Sequence, residues 1–239
     1  MEIKKYKHDA IYSYTLGMAL TIELIKHAKS LVRKIYIHPN YVPKNNTCNI
    51  FNICNEEKLP FEVNQKVFNR LSMKDNVYVI GVFNKYDANV KPENPHVVLV
   101  NPSDSGNLGT IIRTGLGFGF KDYVIIRPGV DIYDPKTIRS SMGAFFHVQF
   151  SQYDSFEQYR QEFLNHKIYL FMLDGKINLK DITERPRHIP FSLVFGNEGA
   201  GLPDIFHTYG DSVYIAHNNE IDSLNLSVAF GIAANIFAE

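Results

Sequence analysis

Two short apolar runs near the carboxyl end of the chain limit what it can fold into. Residues 191–195 read Phe-Ser-Leu-Val-Phe, residues 212–216 read Ser-Val-Tyr-Ile-Ala, and each run passes directly into a polar loop. Runs of this length and composition are typical of buried parallel strands. In α/β proteins, ligands bind at the loops that follow such strands. The two loops therefore predict one ligand pocket at the edge of a parallel sheet.

The residues in and after these loops suit a binding site. The first loop carries three glycines around Glu198, and we expect this carboxylate to point towards whatever the loop holds. Glycine permits positive φ angles and a close approach of the backbone to a ligand. The second loop covers residues 217–222 and ends in Ser-Leu-Asn-Leu-Ser at 223–227. A helix is predicted to follow, because apolar residues recur there at helical spacing: Leu226, Ala229, Phe230, Ala233, Ile236 and Phe237.

A third strand and loop lie upstream. Residues 96–100 are predicted as a buried strand, 101–109 as a polar loop, and 110–118 as a helix with Arg113 in its first turns. The glycine-rich run at 115–119 closes this helix instead of linking a strand to a helix, so no nicotinamide cofactor is expected.

The segments between these loops alternate between the two periodicities. Strands are predicted at 123–126, 145–150 and 168–173, and helices at 134–143 and 155–165. Strands that alternate with helices imply a parallel sheet.

The first third of the chain forms a separate predicted unit. Polar residues and two prolines at 84–95 indicate a linker. We therefore predict a small α/β domain over 1–85, a linker over 86–95 and a larger α/β domain over 96–239. The elements expected in the small domain are helices at 10–30, 49–58 and 65–71 and strands at 32–37, 61–63 and 76–83.

Composition and charge limit the kinds of partner and binding site that we expect. The chain has 25 basic and 25 acidic residues, but residues 1–44 carry eight basic against three acidic side chains, a possible phosphate-contacting face. We expect no metal site or disulfide framework, because the two cysteines, Cys48 and Cys54, lack the spacing for either. We expect no membrane span or signal segment, and therefore a cytoplasmic protein.

Three stretches in order resemble the three motifs of the SpoU/TrmH family of RNA ribose methyltransferases, a branch of the SPOUT superfamily. They are Asn107-Leu-Gly-Thr-Ile-Ile-Arg113, Phe195-Gly-Asn-Glu-Gly-Ala-Gly-Leu202 and Ser223-Leu-Asn-Leu-Ser227. The resemblance covers about residues 96–239. The family's first motif often begins Asp-Pro-Gly-Asn, and this chain has Asp104-Ser-Gly-Asn107 there. Ser105 in place of proline makes the loop less rigid and removes no chemistry.

The resemblance implies a parallel-sheet SPOUT methyltransferase domain with a C-terminal trefoil knot and a homodimer built across the knot. It implies S-adenosylmethionine as the methyl donor, contacted mainly by Gly196, Ile215 and Leu224. Asn225 and Ser227 would shape the loop around the donor. The small first domain is similar in element order to the substrate-binding domain that precedes many catalytic domains of this family.

For catalysis, the resemblance places Arg113 at the ribose 2′-hydroxyl. Asn107 and Glu198 would hold the arginine or the nucleotide, and Asn225 would orient them. Arginine stays protonated in proteins, so two roles are open. It would act as a base when a phosphate or second charge assists, or stabilise the developing alkoxide as a cation.

The expected substrate is structured RNA, either tRNA or rRNA. One alternative is a non-catalytic RNA-binding or ribosome-assembly factor that keeps the fold, and a second is a base or protein methyltransferase. RNA contacts are expected on the basic segment at Lys26, Lys29, Arg33 and Lys34, or on a second basic area at Arg139, Arg185, Arg187 and His188.

Overall fold

The computed structural model describes residues 3–43, 49–71, 76–182, 189–218 and 220–238. The chain divides into two compact units. The first contains the residues up to Tyr86 together with Asp131–Phe146, and the second contains Asp87–Val130 and the residues from His147 onwards. Within the described residues, no helix is both long and apolar enough to cross a bilayer.

The first unit is built on a mixed four-stranded sheet. Its elements are β1 (Tyr12–Leu16), α1 (Met18–Ala28), β2 (Val32–Ile37), α2 (Ile50–Glu56), β3 (Phe61–Val63), α3 (Gln65–Leu71), β4 (Val79–Asn84) and α5 (Pro135–Ser140). The strand order is β1-β4-β2-β3, with β4 antiparallel to both of its neighbours and β3 parallel to β2. Except at the start of the chain, these elements lie close to the predicted ones.

The predicted helix over residues 10–30 is wrong in its first part. Residues 12–16 form strand β1, which pairs with β4 from Tyr12 opposite Asn84 to Leu16 opposite Ile80. Gly17 then takes a φ of 110°, and the helix begins at Met18. Aromatic and β-branched residues fit a pleated surface, and pairing with β4 outweighs the apolar spacing that suggested a helix. Ile11, which lies within the predicted helix, is 69% exposed.

The segment Asp131–Phe146 packs within the first unit, although sequence reasoning assigned it to the larger domain. The carbonyl oxygen of Tyr133 accepts a hydrogen bond from the Ser13 hydroxyl (2.6 Å), and the Tyr133 hydroxyl accepts one from the N–H of Tyr86 (3.2 Å). The predicted helix at 134–143 is the shorter α5, capped by the Asp134 side chain. The predicted strand at 145–150 is wrong: a 3₁₀ turn occupies Ala144–His147, and the strand begins at Gln149.

The second unit contains a seven-stranded sheet. Its elements are β5 (His96–Val100), α4 (Ser105–Gly117), β6 (Asp122–Ile126), β7 (Gln149–Tyr153), α6 (Phe156–Glu162), β8 (Lys167–Phe171), β9 (Ile177–Asn178), β10 (Phe191–Phe195), β11 (Asp211–Tyr214) and α7 (Leu226–Phe237). The strand order is β7-β6-β5-β10-β8-β11-β9, and every pairing in it is parallel. The predicted parallel sheet is confirmed.

Helix α4 begins earlier than the sequence suggested. The predicted loop over 101–109 ends at Asp104, whose side chain caps the helix by accepting a hydrogen bond from the Asn107 N–H at 2.8 Å. An Asp N-cap satisfies a backbone donor that the first turn leaves free. Asn107 therefore lies in the first turn of α4, and Arg113 lies two turns further on and not in the first turns as expected.

The stretch predicted as a linker is held against the second unit. Asp122, at the start of β6, accepts hydrogen bonds from the Lys91 N–H (2.7 Å) and the Asn94 side-chain amide (2.8 Å). Val90 is buried in the second unit's core, and its N–H donates to the Ser151 hydroxyl at 3.1 Å.

Helix α7 returns from β11 to pack on α4. Phe230 of α7 lies in edge contact with Phe195 at a ring-centroid distance of 5.7 Å. Gly115 makes this approach possible, because a Cβ there would come within 2.1 Å of the Tyr123 hydroxyl and 3.0 Å of Phe230. The packing brings the first turns of α4 and α7 together at one edge of the sheet.

Candidate active site

Three adjacent strands end at the same edge of the second sheet. Strand β8 lies between β10 and β11 and is parallel to both. Because the carboxyl ends of parallel strands meet at one edge, the loops after β8, β10 and β11 converge. Between them lies a cavity of about 320 Å³, which is within the usual range for small-molecule sites.

The three residues expected to contact the donor all line this cavity: Gly196 after β10, Ile215 after β11, and Leu224 before α7. At Gly196 a Cβ would come within 2.2 Å of the Gly201 backbone, so the loop closes on itself there. Asn197 holds that closure by accepting hydrogen bonds from the N–H groups of Gly199 (2.9 Å) and Ala200 (3.0 Å).

Asn225 and Ser227 are not among the lining residues. They form the amino-terminal cap of α7 instead. The Asn225 side-chain oxygen accepts from the N–H of Ser227 at 2.9 Å and from its hydroxyl at 2.7 Å. This arrangement fixes where the chain leaves the cavity and enters the helix.

The interior of the cavity is largely apolar. Phe171 and Phe195 stack in parallel at a centroid distance of 4.3 Å, and both line the cavity. Leu202, Val213 and Leu226 contribute further apolar surface. A flat aromatic ligand group would find a matching surface against these side chains.

Sequence reasoning missed the loop after β8. Leu173 and Asp174 line the cavity, yet no motif pointed to them. Asp174 accepts a hydrogen bond from Nε2 of His207 at 3.0 Å, and this bond lowers the pKa of the Asp174 carboxyl. The other ring nitrogen of His207, Nδ1, is buried without a partner among the described residues.

Glu198 points away from the cavity interior, towards the first motif. Its Oε2 accepts from the N–H (2.9 Å) and hydroxyl (2.6 Å) of Ser103, and its Oε1 accepts from the N–H of Asp104 (3.0 Å). Burial alone would raise the pKa of Glu198, but these hydrogen bonds outweigh it and hold the pKa below its usual value. The carboxylate is therefore ionised at neutral pH and joins the loops after β5 and β10.

Asn107 and Asn225 complete a chain of side-chain hydrogen bonds with Glu198. Nδ2 of Asn107 lies 3.3 Å from Oε1 of Glu198, and Nδ2 of Asn225 lies 3.1 Å from Oδ1 of Asn107. The structure thus brings together three of the four residues expected at the catalytic centre. The fourth, Arg113, is exposed on α4 and forms no hydrogen bond or ion pair with a described residue.

The basic segment of the first unit is largely paired with carboxylates. Lys29 lies 2.7 Å from Glu57, and Lys34 lies 2.6 Å from Glu62. Lys26 lies 3.7 Å from Glu23. These pairs offset part of the positive charge that sequence counting found there. Of the second basic area, Arg139 lies on α5, whereas Arg185, Arg187 and His188 fall outside the described residues.

Comparison with known proteins identifies relatives of this chain. The model of the SpoU rRNA Methylase family matches residues 94–235. A 23S rRNA (guanosine(2553)-2'-O)-methyltransferase of Bacillus subtilis is 33% identical over 133 residues, which are 54% of this chain and 52% of that protein. A 23S rRNA (adenosine(1067)-2'-O)-methyltransferase of Streptomyces azureus is 30% identical over 57% of this chain and 51% of its own length. The chain thus spans about half the length of these relatives.

Solved structures show the same fold over nearly the whole chain. An AdoMet-bound rRNA methyltransferase from Sinorhizobium meliloti superposes with a TM-score of 0.79 at 24% identity, covering 95% of this chain and 87% of that one. The SpoU methyltransferase AviRb from Streptomyces viridochromogenes, in complex with AdoMet, gives a TM-score of 0.80 at 19% identity, with 95% and 89% covered.

Proposed function

The chain belongs to the SpoU rRNA methylase family, and we propose that it transfers a methyl group from S-adenosylmethionine to a ribose 2′-hydroxyl of rRNA or tRNA. One observation carries the proposal. The loops after β5 and β10 and the cap of α7 meet through the Glu198–Asn107–Asn225 hydrogen bonds beside a cavity of about 320 Å³. The curated relatives named above act on ribose 2′-oxygens of 23S rRNA.

The cavity fits S-adenosylmethionine. Its stacked phenylalanines offer a face for the adenine, and Gly196, Ile215 and Leu224 bring backbone groups to its wall. Within the described part of the chain, the lining includes acidic residues and no lysine or arginine, which suits a cationic ligand. When bound, the donor supplies an electrophilic methyl group on a sulfonium sulfur, so we propose that the reaction needs no metal ion. Activity that survives dialysis against a chelator checks this point.

Arg113 is proposed to stabilise the 2′-oxygen as it loses its proton and attacks the methyl carbon. Its side chain is exposed and unpaired among the described residues, so it is available to a substrate. A fixed cation near a developing oxyanion lowers the barrier. Asn107, held between Glu198 and Asn225, fixes the first turn of the same helix. The family's other proposed role for this arginine, a general base, predicts a different pH–rate profile for Arg113→Lys. A base would shift the profile to lower pH, whereas a cationic stabiliser would leave its shape unchanged.

We further propose the trefoil knot and the homodimer. Helix α7 packs on α4, beside β5, although it follows β11, which is separated from β5 by β10 and β8. The chain therefore crosses back past the loop after β10. A knotted chain pulled from its ends would reach a shorter full extension than an unknotted one.

The proposed homodimer is supported by an exposed apolar face on α7. Val228, Ile232 and Ile236 are exposed there, spaced four residues apart.

We propose that the first unit is the part that selects the RNA, and we also propose a cytoplasmic location. Neutralising Lys26, Lys29, Arg33 and Lys34 tests the basic segment. If these four side chains contact phosphates, the neutralised variant should bind RNA more weakly than the wild-type chain, and its affinity should depend less steeply on salt. Their ion pairs lead us to expect a smaller effect than four free cations would give.

The activity is tested with purified protein, radiolabelled S-adenosylmethionine and total RNA from a strain that lacks the gene. Labelled nucleosides should be 2′-O-methylated, and an RNA with a 2′-deoxy sugar at the target should bind without accepting a methyl group. RNA binding without any transfer would point to a non-catalytic RNA-binding or assembly factor. Label on a base or on protein would contradict the ribose chemistry.

A further inference from the structure

Asp174 occupies a central place in the cavity. It follows β8 by three residues, and β8 lies between β10 and β11, whose loops are expected to hold the donor. Asp174 therefore lies between those two loops and lines the cavity with them.

The turn that carries Asp174 is fixed on both sides. The N–H of Met172 donates to the carbonyl oxygen of Val213 (2.9 Å), and the N–H of Gly175 donates to the carbonyl oxygen of Met172 (3.2 Å). A Cβ on Gly175 would come within 2.6 Å of the Val213 backbone, so the turn lies against β11. His207 holds the carboxylate itself, with 3.0 Å between Nε2 and Oδ2.

The charged groups around the cavity are acidic. Among the residues that the structure describes, the lining includes Asp174, Glu198 and Asp204 and contains neither lysine nor arginine. His217 also lines the cavity, and its Nδ1–H donates to the carbonyl oxygen of Ile215 at 2.8 Å. Both oxygens of Glu198 accept hydrogen bonds from the loop after β5, from the N–H groups of Ser103 and Asp104. Asp174 lines the cavity, is held in place by His207, and keeps 66% of its side chain exposed.

We propose that Asp174 is a specificity-determining residue that favours the positively charged methyl donor over its neutral-sulfur product. This inference rests on the proposed function. In the reaction the ribose oxygen forms a bond to the methyl carbon, the carbon–sulfur bond breaks, and its electron pair stays on sulfur. The 2′-hydroxyl proton passes to solvent. S-Adenosylmethionine and S-adenosylhomocysteine thus differ at one atom by one charge and one methyl group, and a fixed negative charge nearby distinguishes them.

The expected effect is moderate because Asp174 is partly solvated, with 66% of its side chain exposed. For unit charges on the order of 8 Å apart, Coulomb's law gives about a twofold effect on the dissociation constant in bulk water and about a thirtyfold effect at the dielectric of a protein surface. Because the carboxylate is largely exposed, we expect an effect in the lower part of this range, about fivefold. The effect should shrink as salt is added, since exposed charges are screened. Loss of the charge should weaken the binding of the donor and leave the binding of the product nearly unchanged. Product release therefore becomes slower relative to donor release.

The test is calorimetry on the full chain with three probes. These are S-adenosylmethionine, S-adenosylhomocysteine and sinefungin, which carries an ammonium group in place of the methylated sulfur. Asp174→Asn should raise the dissociation constants of the two cationic probes about fivefold and change that of S-adenosylhomocysteine less than twofold. Asp154→Asn is the matched control: Asp154 is 68% exposed, pairs with Arg127 at 2.8 Å and lies outside the cavity lining.

The outcomes separate this inference from the proposed function. If the wild-type chain binds none of the three probes, the donor assignment itself fails. If it binds them and Asp174→Asn weakens all three equally, the residue acts on a shared group and the inference is overturned. An unchanged ratio of donor to product affinity overturns it as well. Thermal unfolding of both variants verifies that the fold is intact.

Discussion

Asn107 donates a hydrogen bond from its side-chain amide to the carboxylate of Glu198, with 3.3 Å between Nδ2 and Oε1. The same side chain accepts one from Asn225 at 3.1 Å. A side-chain amide can do both because it carries a donor and an acceptor. One residue of α4 therefore ties the loop after β10 to the cap of α7. Arg113, on the same helix, is left exposed for a substrate.

Arg113→Ala should lower the methyl-transfer rate about a hundred- to a thousandfold. The dissociation constant of S-adenosylmethionine should stay near the wild-type value, because Arg113 does not line the cavity. A group that acts in the transition state affects turnover more than binding. Single-turnover kinetics and calorimetry measure the two quantities. Arg160→Ala, which removes an arginine that lies over Tyr209 outside the cavity, is the control. Full activity in Arg113→Ala would contradict the proposed mechanism.

Gly196→Ala should reduce donor affinity more than about tenfold, because an overpacked site shifts the backbone. The added Cβ would come within 2.2 Å of the Gly201 backbone, which forces open the loop that forms one wall of the cavity. Gly199→Ala is the matched control, since its Cβ would meet nothing closer than the Asn197 side-chain oxygen at 3.5 Å. Calorimetry with S-adenosylmethionine compares the two variants. Equal affinities would show that the loop after β10 does not shape the site.

Ile232→Asp should convert the proposed dimer into a monomer. Ile232 lies in the middle of the exposed apolar face of α7 and is 40% exposed in the single chain. A carboxylate buried there without a partner costs several kcal/mol. Light scattering at micromolar concentration should report half the wild-type mass. Leu164→Asp introduces the same charge at an apolar residue that is 81% exposed, and it should leave the mass unchanged. A monomeric wild-type chain would contradict the dimer.

Protonation of His96 should destabilise the fold as pH falls. Burial lowers the pKa of His96 to about 4. The hydrogen bond to the Lys91 carbonyl oxygen offsets this effect only in part. Tyr159 and His166 also face the ring, and the second imidazole further disfavours the charge. At pH values between about 4 and about 6.5, the His96 imidazole is protonated in the unfolded chain and neutral in the folded chain. Stability is therefore complete above pH 6.5 and falls by about 3 kcal/mol on the way to pH 4.

Urea unfolding between pH 4 and pH 7 measures this loss, and His96→Gln should remove that part of the slope. If the variant folds poorly, the imidazole resonances of the wild-type chain provide the second measurement. A His96 ring that titrates near pH 6.5 would contradict the assignment.

Local sequence was sufficient for most elements of the second unit. Strands β5 and β10 have the predicted bounds, because continuous apolar runs can be buried on both faces of a parallel sheet. The three motifs also indicated which loops converge. At the amino end of α4, local pattern was misleading: Gly106 and Ser105 read as loop residues, but Asp104 caps a helix that includes them.

Non-local pairing explains the errors in the first unit. The helix prediction over residues 10–30 rested on Ile11, Tyr14 and Met18 at helical spacing. Residues 12–16 instead pair with β4, which lies 64 to 72 residues later in the chain. The segment Asp131–Phe146 joined the first unit for a similar reason, since Tyr133 accepts hydrogen bonds from residues before the predicted boundary.

By itself, then, the sequence determined the parallel α/β unit and the residues of its three motifs, because periodicity and loop chemistry are written in consecutive residues. The tertiary structure alone decided which groups meet. It placed β8 between β10 and β11, which brought Asp174 to the cavity although no motif contains it. It turned Glu198 onto Ser103 and Asn107 and paired Lys29 and Lys34 with carboxylates. Strand order and side-chain pairing are set by contacts between distant parts of the chain, which no local pattern records.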